Sequence, residues 1–519
     1  MSLFTLIAFA FLCAALYYLC PDRFKWVLLL LASYAYYASC GANALPFILL
    51  TTLSTWAGAL AIGRISEKSR ALLKARRGEL DAAGKKALKA QAKRRQRAVF
   101  FAVLLLNFGV LALLKYASPL LTAMGRPALS LLLPLGISFY TFQSMGYLID
   151  VYNGKVAPER NPAKFALFIS FFPQLIQGPI ARFDQLAHQL ETPHRFDIAN
   201  IERGALLMLW GFFKKKVIAD RALPLVSAVF GQQEAYGGAV IVVAVLFYSL
   251  QQYCDFSGGI DLVTGIAELF GIRLAPNFKR PYFSVSLGDF WRRWHISLGA
   301  WMRDYVFYPF ALTRPMTKLS KAAKSRLGAD VARALPAALG NILVFLLVGV
   351  WHGASMNYVL WGLYNGLILA ASALLDPLYR RANDRLGERI TASRGFYVLR
   401  VVRTFVIVNI GWYFDRAARA ADAFAMLGKT LLSPAAAQLS DGTLLALGLT
   451  AGDFAILAAA TLILFAVSVL QERGVRIRER LLSLPVIPRV VLLYAFMYFV
   501  LASFVGAGAA NAGFMYAIF

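Results

Sequence analysis

Residues 335–375 read LPAALGNILVFLLVGVWHGASMNYVLWGLYNGLILAASALL and contain no Asp, Glu, Lys or Arg. Apolar runs approaching about 20 residues form membrane-spanning helices. The stretch therefore predicts two membrane helices, Leu335–Trp351 and Tyr358–Leu375, with His352 between them. An ionisable side chain in such a setting is expensive to keep, so function is the default hypothesis. The alternative is a structural histidine that bridges two helices by hydrogen bonds.

The rest of the 519-residue chain has the same character. It is 59% hydrophobic and only 16% charged, whereas ordinary soluble domains are about 25% charged. We therefore predict an all-α polytopic membrane protein with about 11–13 membrane helices plus re-entrant and interfacial ones. Ala163–Ile180, which contains Pro173 and Pro179, is the expected re-entrant segment. The predicted spans are Leu3–Leu19, Trp26–Cys40, Leu45–Ile62, Ala98–Tyr116, Leu129–Ile149, Gly204–Phe230, Ala239–Tyr253, Leu262–Leu274, Leu335–Trp351, Tyr358–Leu375, Val398–Phe414, Phe454–Leu470 and Val490–Phe504.

The formal net charge of +27 does not indicate nucleic-acid binding, because the basic residues fall between the apolar runs. This is the pattern of the positive-inside rule, so we expect the basic clusters to face the cytoplasm and the N-terminus to lie outside. The N-terminus also lacks the basic region of a cleaved signal peptide. One cluster, Arg64–Arg97, is predicted to form a helical hairpin. The basic clusters are Arg64–Arg97, Arg314–Arg333, Arg380–Arg403 and Arg473–Arg489.

Several other functions are disfavoured by what the sequence lacks. It has no Walker loop, no G-x-G-x-x-G after a strand, no H-E-x-x-H and no G-x-S-x-G. No internal repeat is visible, which weighs against an inverted-repeat transporter. Cys13, Cys20, Cys40 and Cys254 have neither metal nor redox spacing, so we expect them to serve in packing and expect no metal site. His188 and His194 lie in a polar stretch and are expected to be solvated.

A second histidine lies in the aromatic and basic segment Phe290–Tyr308. Read as one helix, the segment has an apolar stripe with His295 at its edge. Arginines on the flanks suit an interfacial helix that recognises a phosphate-bearing acyl donor. An anchoring helix with an incidental histidine is the alternative. The stripe comprises Trp291, Trp294, Leu298, Trp301 and Tyr305, while Arg292 is expected beside Arg303 and Arg293 beside Asp304.

The residues around the two histidines suggest acyl transfer. A neutral imidazole in apolar surroundings stays a base, and such a base can take a proton from a hydroxyl or thiol. We expect Trp351 to wall the site and Asn357 to donate to an oxyanion. Asp255 and Asp261 are expected to pair with a basic residue such as Arg280 or Arg292, or to orient a histidine. Pro134–Tyr140 and Phe172–Pro179 are predicted helix breaks that line a cavity.

These motifs together resemble the membrane-bound O-acyltransferase superfamily, and within it the bacterial alginate O-acetyltransferase-like group, whose relatives include the teichoic acid D-alanyl transfer protein. Phe290-Trp-Arg-Arg-Trp-His-Ile-Ser-Leu298, continued by Trp301-Met-Arg-Asp-Tyr305, is similar to its highly specific first histidine motif. Trp351-His-Gly353 resembles the second. The likeness extends from about Leu3 to Phe519 and includes Leu133–Tyr140, Gln177–Phe183, Tyr253–Gly258 and Phe514–Phe519.

The resemblance implies a funnel-shaped membrane enzyme with a tunnel, in which His352 is catalytic and His295 is the other signature histidine. It implies acetyl-CoA as the cytoplasmic acyl donor, no further cofactor, and a location in the bacterial inner membrane. The acetyl group would pass outward to a polysaccharide, by way of a separate extracytoplasmic SGNH-type acyltransferase. Donor-binding or tunnel roles are expected for Trp291, Arg292, Arg293, Trp294, Trp301, Arg303, Asp304, Asp255, Asp261, Asn277, Trp351 and Asn357.

Alternatives remain open at this point. After Tyr305 the chain reads VFYPFALTRP and lacks the glycine-rich run common in alginate-type members, so the likeness does not imply alginate as the acceptor. D-alanyl transfer to teichoic acid from a carrier protein is the alternative within the enzyme class. A non-enzymatic transporter of acyl carriers or glycans and a structural scaffold are the others. We divide the chain into N-terminal membrane helices (1–63), a basic cytoplasmic hairpin (64–97), the catalytic core (98–415) and C-terminal membrane helices (416–519).

Overall fold

The structure, a computed structural model, describes residues 3–131 and 133–505, with the backbone alone at 504 and 505. Throughout these residues the regular structure is helical and no strand occurs. This confirms the predicted all-α class. The C-terminal segment Phe514–Phe519, which contributed to the family likeness, lies outside the described residues.

The helices are numbered in chain order. The first nine are α1 Leu3–Leu19, α2 Lys25–Gly41, α3 Leu45–Ala75, α4 Ala82–Ala123, α5 Ile137–Tyr152, α6 Pro162–Ser170, α7 Phe172–Gln177, α8 Phe183–Glu191 and α9 Ile198–Phe212. The next eight are α10 Asp220–Gly231, α11 Gly238–Leu269, α12 Leu287–Arg293, α13 Ile296–Met302, α14 Tyr308–Ala311, α15 Arg314–Leu327, α16 Ala329–His352 and α17 Met356–Leu374. The last seven are α18 Asp376–Leu386, α19 Glu388–Thr391, α20 Arg394–Arg416, α21 Ala420–Leu432, α22 Ala451–Glu472, α23 Ile477–Leu482 and α24 Val486–Val505.

Within the described residues, seven helical stretches are long and apolar enough to cross a membrane, or eight if the bent pair α17 and α18 counts as one span. This is fewer than the 11–13 membrane helices that we predicted. One of the seven stretches, Asp22–Ala75, contains two predicted spans. Others are shorter or interrupted: α1 has 17 residues, and in predicted span 129–149 the helix α5 begins only at Ile137.

Two predictions about the continuity of helices are wrong. Ala239–Tyr253 and Leu262–Leu274 were expected as separate spans, but α11 runs unbroken from Gly238 to Leu269. The polar stretch between them is helical, and its two aspartates pair with buried lysines. Conversely, the segment Phe290–Tyr308 is not one helix, because it breaks at Trp294–His295 and passes through a π-helical turn at Arg303–Phe307.

The expected helix break at Pro134–Tyr140 is confirmed in its first part, because α5 begins only at Ile137. In the other expected break, Phe172–Pro179, residues 172–177 instead form the short helix α7, and the helix is interrupted on either side of it, at Phe171 and Gly178. The cavity that both stretches were expected to line stays a prediction. Gly136 has φ of 69° at the start of α5, and a Cβ there would lie 2.6 Å from the carbonyl oxygen of Leu175. Only glycine fits such a position without strain. The predicted re-entrant segment consists of the two short buried helices α6 and α7, which meet at Phe171.

Backbone contacts divide the described residues into two compact units. The first comprises residues up to Ala205 together with Val263–Ala275, and the second comprises Leu206–Leu262 together with residues 276–505. The four-part functional division remains a prediction.

In the first unit, α3 and α4 are joined by a short turn and form the predicted basic hairpin. The side chain of Asp81 caps the start of α4. His188 is exposed, as expected. His194 is instead partly buried, and a Cβ at Gly271 would lie 3.1 Å from its ring. Cys13 in this unit and Cys254 in the second are buried, which fits the expected packing role, whereas Cys40 is exposed.

Candidate active site

The second unit places His352 at the end of a tightly packed helical hairpin. Helices α16 and α17 approach so closely that a Cβ at Gly349 would lie 2.4 Å from the carbonyl oxygen of Tyr358. A Cβ at Gly362 would lie 2.3 Å from that of Phe345. The two glycines therefore let the backbones meet, and this contact fixes the turn at which α16 ends with His352.

Aromatic rings enclose the imidazole of His352, which is only 7% exposed. Its ring centroid lies 5.0 Å from that of Trp351, 4.9 Å from that of Trp361 and 5.8 Å from that of Tyr358. Such surroundings disfavour the charged imidazolium through desolvation. A base in this position needs a compensating negative charge if it is to hold a proton during a reaction.

That charge is supplied by Asp415, near the end of α20. Its Oδ1 lies 3.9 Å from Nδ1 of His352, and the carboxylate is buried. The hydroxyl of Tyr248, on α11, donates to the other carboxylate oxygen at 2.6 Å. Three helices thus bring together a hydroxyl, a carboxylate and an imidazole. A carboxylate beside one ring nitrogen stabilises the protonated form of the imidazole through charge.

His295 occupies the break between α12 and α13 and is also buried. Its φ of 47° is left-handed, a conformation that costs a non-glycine residue about 1–3 kcal/mol. The cost is offset by Asn277, whose Oδ1 accepts from the backbone N–H and hydroxyl of Ser297 at 2.9 Å and lies 3.3 Å from Nδ1 of His295. Burial lowers the pKa of His295 to about 3, so its imidazole is neutral at physiological pH.

Tryptophan rings connect the two histidines. The centroid of Trp351 lies 6.4 Å from that of His295 and 5.0 Å from that of His352. On the far side, Trp361 contacts both His352 and Trp291, at 4.9 and 5.5 Å. The indole N–H of Trp291 donates to Asn365 at 3.1 Å. The predicted Trp291, Trp351, His295 and His352 are therefore brought into one aromatic cluster.

The other two predicted tryptophans pack elsewhere in the unit. Trp294 is buried and stacks on Phe290 at 5.4 Å, and its ring centroid lies 5.6 Å from that of Trp412. Trp301 is buried and contacts the ring of Tyr305. Both rings support the segment around His295 from within.

The arginines of this segment do not pair as predicted. Because the helix breaks at His295, the expected neighbours are separated. Arg292 is largely exposed and lies 3.5 Å from Asp289, while Arg303 pairs with the adjacent Asp304 at 2.9 Å. Arg293 lies 3.3 Å from Asp289 and 2.9 Å from Glu472.

Asp255 and Asp261 take lysine partners, not Arg280 or Arg292. The residues that follow α9 form a π-helical turn, Phe213–Ala219, which carries three buried lysines. Lys214 lies 2.7 Å from Asp261, and Lys215 pairs with Asp255. The predicted ion-pair role is therefore right in kind, but the partners are different.

The same cluster also includes Asp220, which lies 2.9 Å from Lys215 and 2.7 Å from Lys216. Three ammonium groups thus face three carboxylates inside the unit. A buried charge needs such compensation.

Asn357 cannot donate to an oxyanion in this structure, contrary to expectation. Its side-chain N–H groups donate to the carbonyl oxygens of Phe414 and Ala417, at 3.0 and 2.9 Å. Asn357 therefore anchors the end of α20, and this contact helps to hold Asp415 beside His352.

Sequence reasoning missed Asp415, Tyr248, Glu472 and the lysines. Asp415 carried a signal, since it is an acidic residue directly after the apolar run Val398–Phe414. The lysine triplet also stood inside a predicted span, Gly204–Phe230. Glu472, at the polar end of a span, was not distinguishable from an ordinary boundary residue.

The chain is similar in sequence to known proteins of one family. The model of the membrane-bound O-acyltransferase family matches residues 159–411, which include both histidines. The chain is 35% identical to the probable alginate O-acetylase AlgI of Pseudomonas syringae pv. tomato, over 77% of this chain and 69% of that protein.

Two relatives with other acceptors in their names are also similar. Identity is 31% to the peptidoglycan O-acetyltransferase of Helicobacter pylori, over 60% of this chain and 61% of that protein. It is 28% to the teichoic acid D-alanyltransferase of Bacillus subtilis, over 56% of this chain and 70% of that protein. With its apolar helices and its sheltered histidine, the chain belongs to the membrane-bound O-acyltransferase family and is a multi-pass membrane O-acyltransferase.

Proposed function

We propose that this protein takes an acetyl group from cytoplasmic acetyl-CoA and delivers it through the membrane for the O-acetylation of an extracytoplasmic polysaccharide. The observation that carries this proposal is the buried His352, with Asp415 at 3.9 Å and Tyr248 behind it. Relatives named for O-acetylation of alginate and of peptidoglycan support acetyl as the acyl group and a glycan as the acceptor.

The reaction needs one base. The acceptor hydroxyl oxygen bonds to the thioester carbonyl carbon as His352 takes the hydroxyl proton. The C–S bond then breaks, the acetyl ester forms, and His352 returns the proton to the departing thiolate, so that free coenzyme A leaves. General-base assistance of this kind contributes typically about 10²–10⁴-fold to a rate. The apolar enclosure keeps water from hydrolysing the acyl group.

The route and the partner are parts of the same proposal. Basic clusters flank the apolar helices, which supports an inner-membrane position with those clusters inside. The acceptor hydroxyl would be the serine nucleophile of an extracytoplasmic SGNH-type acyltransferase, which then transfers the acetyl group from its serine ester to a hydroxyl of the polysaccharide and regains its free serine. Acetyl-CoA is the only small molecule that the proposed chemistry requires.

The proposal is tested with purified protein in liposomes and acetyl-CoA labelled either in the acetyl group or in the coenzyme. We expect acetyl label, but no coenzyme label, to reach an added glycan or the purified partner. The variant His352→Ala should abolish transfer while still inserting. His188→Ala, a change of the same type at an exposed histidine, is the matched control and should transfer normally.

Two results would overturn the assignment. If a correctly inserted His352→Ala variant transferred acetyl at the wild-type rate, His352 would not be the base. Transfer of D-alanine from a carrier protein, with none of acetyl from acetyl-CoA, would replace the donor. The likeness to the teichoic acid D-alanyltransferase makes this second donor worth including in the assay.

A further inference from the structure

We propose that Glu472, at the end of α22, is a positioning residue for the segment that carries His295. Glu472 lies beyond residues 159–411, which the family model matches. The inference rests on the proposed acetyl transfer, since it concerns how efficiently that reaction proceeds.

Two stretches of chain form a clamp around His295. The backbone N–H of Ile296 donates to the carbonyl oxygen of Asn277 at 3.0 Å. The backbone N–H of Lys279 donates to the carbonyl oxygen of Arg293 at 2.9 Å. Residues 277–279 and 293–296 are therefore held side by side, with His295 between the two bonded positions of the second stretch.

Glu472 joins both halves of this clamp. Its Oε2 accepts from Nε of Arg280 at 2.5 Å, and its Oε1 accepts from Nη1 of Arg293 at 2.9 Å. Arg280 directly follows the first stretch, and Arg293 opens the second. One carboxylate thus binds two guanidinium groups on opposite sides of the same backbone pair.

The clamp holds conformations that would otherwise relax. Both Arg280 and His295 have φ of 47°, which is left-handed and unfavourable for residues with a side chain. Such a conformation persists only where its surroundings determine it. The ion pairs are suited to this role, because all three side chains are only 18–24% exposed and charge-assisted hydrogen bonds are stronger than neutral ones.

Asn277 and Glu472 therefore hold different parts of the segment around His295. Asn277 binds Ser297, which follows His295. Glu472 binds Arg293, two residues before His295, and Arg280 on the neighbouring stretch. Loss of the carboxylate should let the pair of stretches separate and displace His295 from Trp351. A displacement of about 1 Å near a reacting group can cost about a hundredfold in rate.

The test compares Glu472→Gln with Glu472→Asp. Glu472→Gln keeps the shape but removes the charge, and we expect kcat/KM for acetyl-CoA to fall roughly ten- to a hundredfold. Amide hydrogen exchange at Lys279 and Ile296 should become faster. Glu472→Asp keeps the charge but shortens its reach, so both quantities should lie between those of Glu472→Gln and wild type. Glu479→Gln, the same change at an exposed glutamate on α23, should match wild type.

Each outcome is decisive. If Glu472→Gln transfers acetyl within about twofold of wild type, or loses activity without faster exchange at the two amides, the inference is wrong. If Glu472→Gln does not fold, Glu472→Asp decides: a kcat/KM below that of wild type together with faster exchange at Lys279 and Ile296 supports the clamp, and wild-type values of either quantity overturn it. Failure of the wild-type protein to use acetyl-CoA would count against the proposed function instead, and the variants would then be compared with the D-alanyl donor.

Discussion

Replacing Asp415 by Asn should slow acyl transfer by about two to three orders of magnitude, because it removes most of the charge attraction between Asp415 and a protonated His352. During proton transfer His352 becomes an imidazolium, and Asp415 lies 3.9 Å from its Nδ1. Two unit charges at that distance, with an effective dielectric constant of about 20, attract by about 4 kcal/mol. The full loss of this attraction corresponds to about a thousandfold in rate. An Asn side chain retains part of it through its dipole, which sets the lower end of the range.

Single-turnover acetyl transfer by reconstituted protein measures this effect without a contribution from product release. Tyr248→Phe leaves the carboxylate in place but removes the hydrogen bond at 2.6 Å. The net contribution of such a bond is about 0.5–1.5 kcal/mol, which predicts a roughly two- to tenfold loss. Asp384→Asn, at an exposed aspartate on α18, should have no effect. A folded Asp415→Asn variant that keeps more than about half of the wild-type rate would refute the reasoning, because the carboxylate would then not stabilise the imidazolium.

Three further predictions concern stability. Gly349→Ala should destabilise the protein by about 1–3 kcal/mol, because the added methyl group meets a backbone carbonyl oxygen. Gly395→Ala is the control and should leave stability unchanged, because the space around Gly395 is open. Thermal unfolding in detergent compares the two variants. Asp255→Asn should cost about 3–5 kcal/mol by leaving Lys215 less compensated, and a Lys215→Met/Asp255→Leu double variant should recover most of the loss in the same assay. Burial lowers the pKa of His295 to about 3, so below about pH 6.5 the unfolded chain takes up a proton that the folded protein excludes. The free energy of unfolding should therefore fall as the pH drops from about 6.5 towards 3, by up to about 1.4 kcal/mol per pH unit. In the His295→Gln variant, unfolding measured across this pH range should show a smaller fall.

The helical class and the burial of His295 and His352 could be predicted from the sequence, because both leave local signals. The catalytic roles of the two histidines stay predictions. Long apolar runs require helices, since a membrane leaves backbone groups no other partner. His352 stands out because residues 335–375 contain no charged side chain. The hairpin on which it sits follows from the same composition, since Gly349 and Gly362 are the small residues that let α16 and α17 meet.

Contacts between side chains that lie far apart in the sequence could not be predicted. The period of the Trp291–Tyr305 stripe fits one helix, yet the backbone breaks at His295, because Asn277 offers its amide oxygen to the N–H of Ser297. A periodicity describes one segment and contains no information about a partner that lies 20 residues away. The lysines of the π-helical turn show the same limit: they reach Asp255 and Asp261 only because α11 packs beside them.

The surroundings of the two histidines argue for different chemical roles. His352 faces the carboxylate of Asp415, which favours a ring that gains and returns a proton. His295 faces the amide oxygen of Asn277 and contacts the ring of Phe256, and its low pKa keeps the imidazole neutral. A neutral imidazole fixed in a left-handed turn is suited to hydrogen bonding and to shaping the site. We therefore expect the pH dependence of transfer to change when Asp415 is replaced by Asn, and to keep its form, at a lower rate, when His295 is replaced by Gln. If His295→Gln instead removed an ionisation from the profile, the assignment of the two roles would have to be exchanged.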